Sequence, residues 1–322
     1  MRVAPVRRVI VTGAAGCVGR AVAERLSSEG IAVLGVGRSE PRQRGLLRVA
    51  EWHTRDLLDS GVEDLLEDCD GFVHLAALVH EPDNEDWTAY KVTNVDLTRR
   101  LLRMWVGAGR PAKRFLLAST VAVYGPAADL RADETTNCDP QTPYARSKLE
   151  AERLVLEAGG TVVRLPVVYG PGDRGNVRLL IDTIARGRFV LPSNCTAPRS
   201  MIASFNAAHG IALALSKHSD ARLFLITDRE DASLDRLART IARSLDPPRR
   251  LRVFPRSLVW SSACFGSVLS ALGVRFPLDL VRWRKLTRPL TFSCERAATE
   301  LAYSPPVSFE EGVQAAVRAA ET

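Results

Sequence analysis

The sequence has few of the features that mark metal-binding, disulfide-rich or secreted proteins. Its six cysteines lie far apart and no two have the C-x-x-C spacing, so neither a zinc site nor a disulfide framework is expected. Glycine and proline follow no fixed period, which excludes a repeat array. The apolar run after Arg8 breaks at Gly13, too early for the core of a signal peptide. We therefore expect a cytoplasmic protein with reduced cysteines and no bound metal.

Positive charge is concentrated in one part of the chain. The total is +7, but residues 249–288 contain nine basic residues and one acid, Asp279, so this window carries +8 and the rest about −1. The nine are Arg249, Arg250, Arg252, Arg256, Arg275, Arg282, Arg284, Lys285 and Arg288. A local excess indicates a specific anionic ligand or surface. No base-reading module is evident, so nucleic-acid binding is not expected.

Apolar runs alternate with helical stretches over the first two thirds of the chain. The predicted strands are residues 8–11, 31–36, 71–76, 114–118, 161–165 and 223–226, and helices are predicted at 94–106 and 143–157. Continuous apolar strands between helices are typical of a parallel sheet covered on both faces. The fold class is therefore a doubly wound α/β (Rossmann) fold. We expect a dinucleotide-binding domain at 1–170 and a smaller substrate-binding lobe at 171–322, with segments returning to the main sheet.

Residues 257–274 form an uncharged stretch inside the basic window. Eighteen residues are at the lower limit for crossing a bilayer, and the stretch contains five serines and two glycines. A buried helix is the favoured interpretation, and the two alternatives are peripheral contact with a membrane surface and a membrane span.

A glycine-rich turn follows the first predicted strand, with the pattern Thr12-Gly13-x-x-Gly16-x-x-Gly19. The first glycine permits a tight turn, the second permits close approach of a pyrophosphate, and the third permits close packing of helix and strand. Free amides at the helix N-terminus would bind the phosphates. We therefore expect a dinucleotide to contact Gly13, Gly16, Cys17, Val18 and Gly19.

The choice between NAD and NADP stays open at this point. An acid at the end of the second strand favours NAD, but Arg38 stands there and could bind a 2′-phosphate or stack on adenine. Asp56 follows the next predicted strand and could bind adenine, or be an ordinary surface aspartate.

Tyr144 and Lys148 are four residues apart on a predicted helix and therefore share one face. An ammonium about 4 Å from the phenol is worth about 4 kcal/mol at an effective dielectric of about 20. This attraction would lower the phenol pKa from about 10 to near 7, where general acid–base catalysis is efficient. Thr120 ends the fourth predicted strand and could hydrogen-bond the same substrate oxygen.

Together these motifs resemble the extended short-chain dehydrogenase/reductase family. The motifs that carry the resemblance are the glycine turn, His74-Leu75-Ala76-Ala77, Asn94, Ser119-Thr120-x-x-x-Tyr124-Gly125, Tyr144-x-x-x-Lys148 and Arg164-x-Pro166-x-x-Tyr169-Gly170-Pro171-Gly172. Within the family the chain is most similar to NAD-dependent nucleotide-sugar epimerases and dehydratases, especially UDP-hexose 4-epimerases.

The resemblance implies roles for individual residues. Thr120, Tyr144 and Lys148 would be catalytic; Asp56, Leu57, Leu75, Ala76, Ala77 and Asn94 would line the cofactor site; Ser119, Asn176 and Arg199 would bind the nucleotide sugar. For Asn94 and His74 a structural hydrogen-bonding role is favoured. A second diphosphate-binding arginine is expected within 282–288. A homodimer through the helices at 94–106 and 143–157 is also implied.

The residues after Thr120 bear on the reaction. Dehydratases of this family have an acid there, whereas this chain has Val121 and Ala122, so dehydration is disfavoured. We expect 4-epimerisation of a UDP-hexose or UDP-N-acetylhexosamine through transient oxidation. The alternatives are an NAD(P)-dependent reductase or dehydrogenase of a keto sugar or small carbonyl, an epimerase of a lipid-linked diphosphate sugar, and a non-catalytic dinucleotide-binding protein.

Overall fold

The computed structural model describes residues 5–41, 47–59, 61–79, 86–126, 131–217, 219–271 and 279–321. The strands are β1 (Arg8–Thr12), β2 (Ala32–Gly37), β3 (Glu51–Thr54), β4 (Gly71–His74), β5 (Phe115–Thr120), β6 (Thr161–Leu165), β7 (Val167–Tyr169), β8 (Val190–Pro192), β9 (Met201–Ala203), β10 (Leu223–Leu225) and β11 (Arg252–Phe254).

The α-helices are α1 (Cys17–Ser28), α2 (Glu63–Leu66), α3 (Trp87–Tyr90), α4 (Leu97–Gly107), α5 (Pro143–Glu157), α6 (Asn176–Ala185), α7 (Ser204–Ser216), α8 (Leu234–Ser244), α9 (Arg256–Ala271), α10 (Leu280–Thr287), α11 (Glu295–Glu300) and α12 (Phe309–Glu321).

The main sheet has the strand order β10-β6-β5-β4-β1-β2-β3, and every neighbouring pair is parallel. The order reverses between β1 and β4, and Thr12 at the end of β1 is in register with both Val36 and His74. Ligands of open α/β sheets bind outside the carboxyl ends of the strands at such a reversal. The predicted doubly wound Rossmann fold is confirmed.

Helices cover both faces of this sheet. On one face α1 and α7 pack against each other, and their apolar residues join those of β1 and β6 in one buried cluster. On the other face α4 and α5 pack over Phe72, Phe115 and Leu117. Trp105 of α4 meets Phe72 edge to face, with ring centroids 5.9 Å apart. Strands buried on both faces explain the continuous apolar runs in the sequence.

Most predicted elements differ from the structure by one or two residues at an end, and two of them differ for a reason that the contacts show. The run at 71–76 stops being a strand at His74, because the next two amides bond to Thr12. The helix predicted at 94–106 begins as a π-helical segment, Lys91–Asp96, before α4. By contrast α5 has its predicted limits, with the Thr142 hydroxyl capping it and Pro143 in its first turn.

The second half of the chain has a core of its own and also contributes to the main sheet. Apolar residues of α6, α8 and α12 form a separate buried cluster. The strand β10 pairs with β6 at the edge of the main sheet. This return was expected, whereas the domain boundary at residue 170 stays a prediction.

The prediction that the uncharged stretch is a buried helix is wrong over the described residues. The helix α9 does form, but Leu258, Trp260 and Phe265 on it are exposed and only a narrow stripe around Ala263 is buried. The pattern misled because an absence of charge is typical of burial but does not require it. Residues 272–274 of the stretch lie outside the described residues. No helix in the described part of the chain is both long enough and apolar enough to span a bilayer.

Candidate active site

The glycine turn joins β1 to the N-terminus of α1. Gly13 has φ +69°, and a Cβ there would lie 2.9 Å from the backbone nitrogen of Ala76. Gly16 is the N-cap and provides no side-chain cap, and the first turn of α1 has no acid. Burial raises the pKa of Cys17 to about 12, so this residue stays a neutral thiol. The amides of the first turn are thus available to an anion.

Gly19→Ala should disrupt this turn, because its Cβ would lie 2.2 Å from the carbonyl oxygen of Gly13. Overpacking against rigid backbone costs about 1–3 kcal/mol or more. We expect a lower free energy of unfolding in urea and loss of NAD binding by fluorescence titration. Gly107→Ala is the matched control, since a Cβ there meets nothing within 4 Å. Equal behaviour of the two variants would contradict the packing argument.

Thr12 ties the ends of β1 and β4 together. Its Oγ1 accepts from the amides of Leu75 and Ala76 at 3.2 Å and lies 2.7 Å from Nδ1 of His74. With two donors already on Oγ1, its own proton goes to Nδ1, which leaves the imidazole proton on Nε2. Burial, reinforced by Lys148, lowers the pKa of His74 to about 3, so the ring is neutral.

Asn94 links the segment after β4 to the start of α5. Its Oδ1 accepts from the amide of Leu78 at 2.8 Å, and its Nδ2 donates to the Leu78 carbonyl at 3.0 Å and to Ser147 Oγ at 2.9 Å. Ser147 in turn donates to the carbonyl of Tyr144. Both Nδ2 protons are therefore used inside the protein, which supports the structural role favoured for Asn94.

The structure brings Thr120 and Tyr144 together. Thr120 ends β5, its Oγ1 accepts from the amide of Ala122, and its hydroxyl is hydrogen-bonded to the Tyr144 phenol. The phenol ring is half-buried and packs against Tyr90, with centroids 6.2 Å apart. Lys148 lies one helical turn further along α5 and is buried. The three predicted catalytic residues thus stand at the carboxyl edge of the sheet.

The predicted phenol pKa near 7 is wrong. Burial raises the pKa of Tyr144 to about 12, against a smaller opposing effect of the Thr120 hydrogen bond. Burial also lowers the pKa of Lys148 to about 8. Burial opposes the charged form of both groups, and the side chains that shift the phenol pKa are Thr120 and Tyr90 rather than Lys148.

A buried ion pair between Glu152 and Arg164 joins α5 to β6, and its pairing was not predicted from the sequence. Arg164 of β6 donates to Glu152 from Nη2 at 2.6 Å and from Nε at 3.1 Å, and from Nη1 to the Tyr124 hydroxyl at 2.8 Å. Glu152 lies one turn after Lys148, so helical spacing could have placed it on the catalytic face. The pair raises the pKa of Arg164, which stays charged.

The other residues predicted at the cofactor site lie at the ends of neighbouring strands. Arg38 is exposed directly after β2. Asp56 is exposed after β3, and its Oδ1 accepts from the amide of Leu58. Leu57 is buried in the core, so only its backbone could meet a ligand. Leu75, Ala76 and Ala77 follow β4 and are partly buried.

The residues predicted to bind substrate come from different elements. Ser119 is buried at the end of β5, and Asn176 is exposed at the start of α6. The turn before α6 lies against α1, since a Cβ at Gly172 would be 3.8 Å from Cys17 Cα. Arg199 is partly buried and donates from Nη1 to the Arg288 carbonyl at 3.1 Å.

One segment connects Arg199 with the catalytic end of β5. The amide of Leu290 bonds to the Pro198 carbonyl, and Phe292 stacks on Tyr124 with centroids 5.6 Å apart. Tyr124 ends the 3₁₀ turn that follows Thr120. Among the arginines at 282–288, the side chains of Arg284 and Arg288 are exposed. The side chain of Arg282 is not among those that the structure describes.

Two buried polar atoms at this edge support a cofactor site. His74 Nε2 and Ser119 Oγ have no hydrogen-bond partner among the described residues. Buried polar groups in native proteins normally have partners, so a bound ligand or water is expected there. With the open amides of α1, these atoms fit a polar dinucleotide along the ends of β1, β4 and β5.

Comparisons with known proteins agree with this geometry. A sequence profile of the NAD dependent epimerase/dehydratase family matches residues 9–226, about two thirds of the chain. The chain is 25% identical to a UDP-glucose 4-epimerase of Vibrio cholerae, over 97% of this chain and 95% of that protein. It is also 25% identical to the N-acetyl-alpha-D-glucosaminyl-diphospho-ditrans,octacis-undecaprenol 4-epimerase of Escherichia coli O157:H7, over 95% and 92% of the two chains.

Solved structures share the fold at lower identity. A UDP-glucuronic acid 4-epimerase from Bacillus cereus, in complex with NAD, is similar with a TM-score of 0.76 and 21% identity, over 98% of both chains. A UDP-glucose 4-epimerase from Thermotoga maritima, with UDP-glucose, is similar with a TM-score of 0.74 and 21% identity, over 97% and 98% of the two chains.

Proposed function

Because the chain belongs to the NAD dependent epimerase/dehydratase family, we propose that it is a 4-epimerase of a UDP-hexose or a UDP-N-acetylhexosamine. The proposed cofactor is NAD. Arg38 alone did not distinguish NAD from NADP. The observation that carries the proposal is the hydrogen bond between Thr120 and Tyr144, one helical turn before Lys148 on α5. The two positions after Thr120 hold no acid. Similar proteins named for UDP-sugars support the substrate class.

The catalytic residues have separate tasks. NAD, when bound, supplies reversible hydride transfer at the sugar carbon that is inverted. Tyr144 takes the proton of the hydroxyl on that carbon and later returns it. Thr120 hydrogen-bonds the same oxygen and fixes its direction. Lys148, buried beside the neutral His74, is assigned to hold the nicotinamide ribose.

Inversion requires that the oxidised sugar turn over while the rest of the substrate stays bound. Binding energy must then reside in the diphosphate and nucleotide rather than in the hexose. We assign the diphosphate to Arg199, whose planar fork of donors matches phosphate oxygens. Burial lowers the pKa of this guanidinium, so a bound anion would restore part of its lost solvation.

The proposal is tested by incubating the protein with UDP-glucose, UDP-N-acetylglucosamine and UDP-glucuronic acid and separating the products by chromatography. We expect the 4-epimer of one of them, with catalytic NAD and no net change in the absorbance of reduced nicotinamide. Stoichiometric reduction of added NAD or NADP would instead indicate a dehydrogenase. Tight NAD binding without any product would indicate a non-catalytic protein. Relatives named as 4-epimerases support neither of these outcomes, and one of them, at the same 25% identity, is named for an undecaprenol-linked sugar rather than a UDP-sugar.

We also propose a cytoplasmic homodimer. All six cysteines are free, as expected in a reducing compartment. The helices α4 and α5 pack side by side, and Val106 on α4 is exposed. A mass of two chains by light scattering is expected, and a monomer would refute the dimer.

A further inference from the structure

One part of the second lobe exposes large apolar side chains. Five of the twelve such residues in the described part of the chain lie between residues 253 and 265. We call the side of α9 that carries Leu258 and Phe265 the apolar face; Trp260 lies about 200° around this helix from Leu258, and Val253 and Phe254 are consecutive on β11 and point to opposite sides of it. Clusters of this kind, rather than scattered apolar residues, mark interaction surfaces.

The apolar face lies along one side of the helix α9. Leu258 and Phe265 are 58% and 59% exposed, and their spacing of seven residues places them on one side of the helix. Exposed Ser257, Ser261 and Ser262 surround them, while Ala263 faces the protein. Every residue of α9 after Arg256 is uncharged, so this side is apolar and hydroxylic along its described length.

Exposed arginines lie at the N-terminal end of α9, next to the apolar face. The strand β11 begins at Arg252, one residue before Val253, and Arg249 and Arg250 precede it. Arg256 is the first residue of α9, and its guanidinium lies 5.6 Å from the centre of the Trp283 ring on α10. No carboxylate within 4.0 Å is seen for Arg249, Arg250, Arg252 or Arg256 in the described parts of the chain.

We propose that the apolar face docks on the surface of an anionic membrane. Leu258 and Phe265 enter the boundary between headgroups and acyl chains, and the arginines that precede and begin α9 bind anionic headgroups. A nucleic acid would match the arginines but not the apolar side chains. A second copy on the same face would bring two positive rims together, which is unfavourable.

The docking face begins close to the proposed diphosphate site. The amide of Arg256 bonds to Ser193 Oγ, and Arg256 and Arg199 both act electrostatically on the buried thiol of Cys195. This inference does not depend on the proposed reaction, because docking is measured without substrate.

The test is co-sedimentation of the whole protein with vesicles of phosphatidylcholine alone or mixed with phosphatidylglycerol, at low and high salt. We expect binding to the anionic vesicles at low salt and its loss at high salt. Each arginine near such a surface contributes about fivefold in affinity, so Arg250→Ser with Arg252→Ser should weaken binding about 30-fold. Leu258→Ser with Phe265→Ser should weaken it at least about tenfold.

Matched controls separate docking from general effects of charge and polarity. Arg7→Ser with Arg48→Ser removes two exposed arginines from the dinucleotide-binding half, and Leu179→Ser removes a leucine that is 65% exposed on α6. Both should leave vesicle binding unchanged, and all variants should keep wild-type circular dichroism. Absence of binding to anionic vesicles, or equal losses in the controls, would overturn the proposal. So would a change of mass by light scattering on Leu258→Ser, which would identify a contact between copies.

Discussion

Tyr144→Phe should lower kcat by about a thousandfold and leave binding of NAD and nucleotide sugar close to wild type. The substitution removes only the phenolic oxygen, which is the group that exchanges a proton with the sugar hydroxyl. The ring would still pack against Tyr90, and α5 would still be held by Asn94 through Ser147. Steady-state kinetics with the active UDP-sugar, together with cofactor titration, measures both quantities.

Tyr90→Phe is the control for this prediction. Its ring centroid lies 6.2 Å from that of Tyr144, but its hydroxyl donates to the backbone carbonyl of Val79 at 3.2 Å. Loss of that hydrogen bond should cost about 1 kcal/mol of stability and leave kcat within about threefold of wild type. If both variants lost activity equally, or neither did, the acid–base role of Tyr144 would be wrong.

Lys148→Met should abolish most activity and at the same time raise stability. The folded protein buries an ammonium whose pKa falls from 10.5 to about 8, and this difference corresponds to roughly 3 kcal/mol of destabilisation at neutral pH. Methionine is similar in length and has no charge to bury. We expect kcat to fall at least about a hundredfold and the free energy of unfolding to increase by up to that amount.

The pH dependence of stability identifies the cause. Between about pH 8 and about pH 10.5 the unfolded chain still holds the lysine proton that the folded chain has released. The free energy of unfolding of the wild type should therefore rise through this window relative to that of the variant. Below about pH 8 the full destabilisation is present, so the difference between the two proteins is then greatest.

Lys217→Met provides the comparison, since Lys217 is exposed at the end of α7. It should change neither the stability nor its pH dependence by more than about 0.5 kcal/mol. Urea unfolding of the three proteins at several pH values measures this. A Lys148→Met protein that is less stable than the wild type at neutral pH would show that the lysine contributes contacts that outweigh its desolvation.

Local patterns were sufficient for most of the main sheet. The strands around Ile10, Leu34 and Val163 are buried on both faces, so their sequence is apolar without interruption, and the caps of α5 are visible as Thr142 and Pro143. The end of β4 was missed by two residues because Thr12, sixty-two positions upstream of His74, captures the next two amides. Such long-range bonds leave no local signal.

The candidate catalytic residues were proposed from their spacing in the sequence, whereas their pKa values could not be predicted from it. Spacing placed Tyr144 and Lys148 on one face, whereas the pKa of each depends on how much protein surrounds it. The same holds for Glu152 and Arg164, whose pairing across α5 and β6 needs both elements in place. The exposure of α9 could not be predicted from its local sequence either, because the same apolar residues occur in protein cores and at interfaces.

The packing of α7 on α1 limits where the chain could be cut into independently folding fragments. Ile211 and Leu215 of α7, with Phe224 and Ile226, complete the apolar cluster that begins at Val9 and Val11. An isolated fragment ending near residue 170 would leave that half of the cluster in water and would be prone to aggregate. Grafting a foreign sugar-binding lobe onto this nucleotide half would have to bring a compatible α7 and β10 with it.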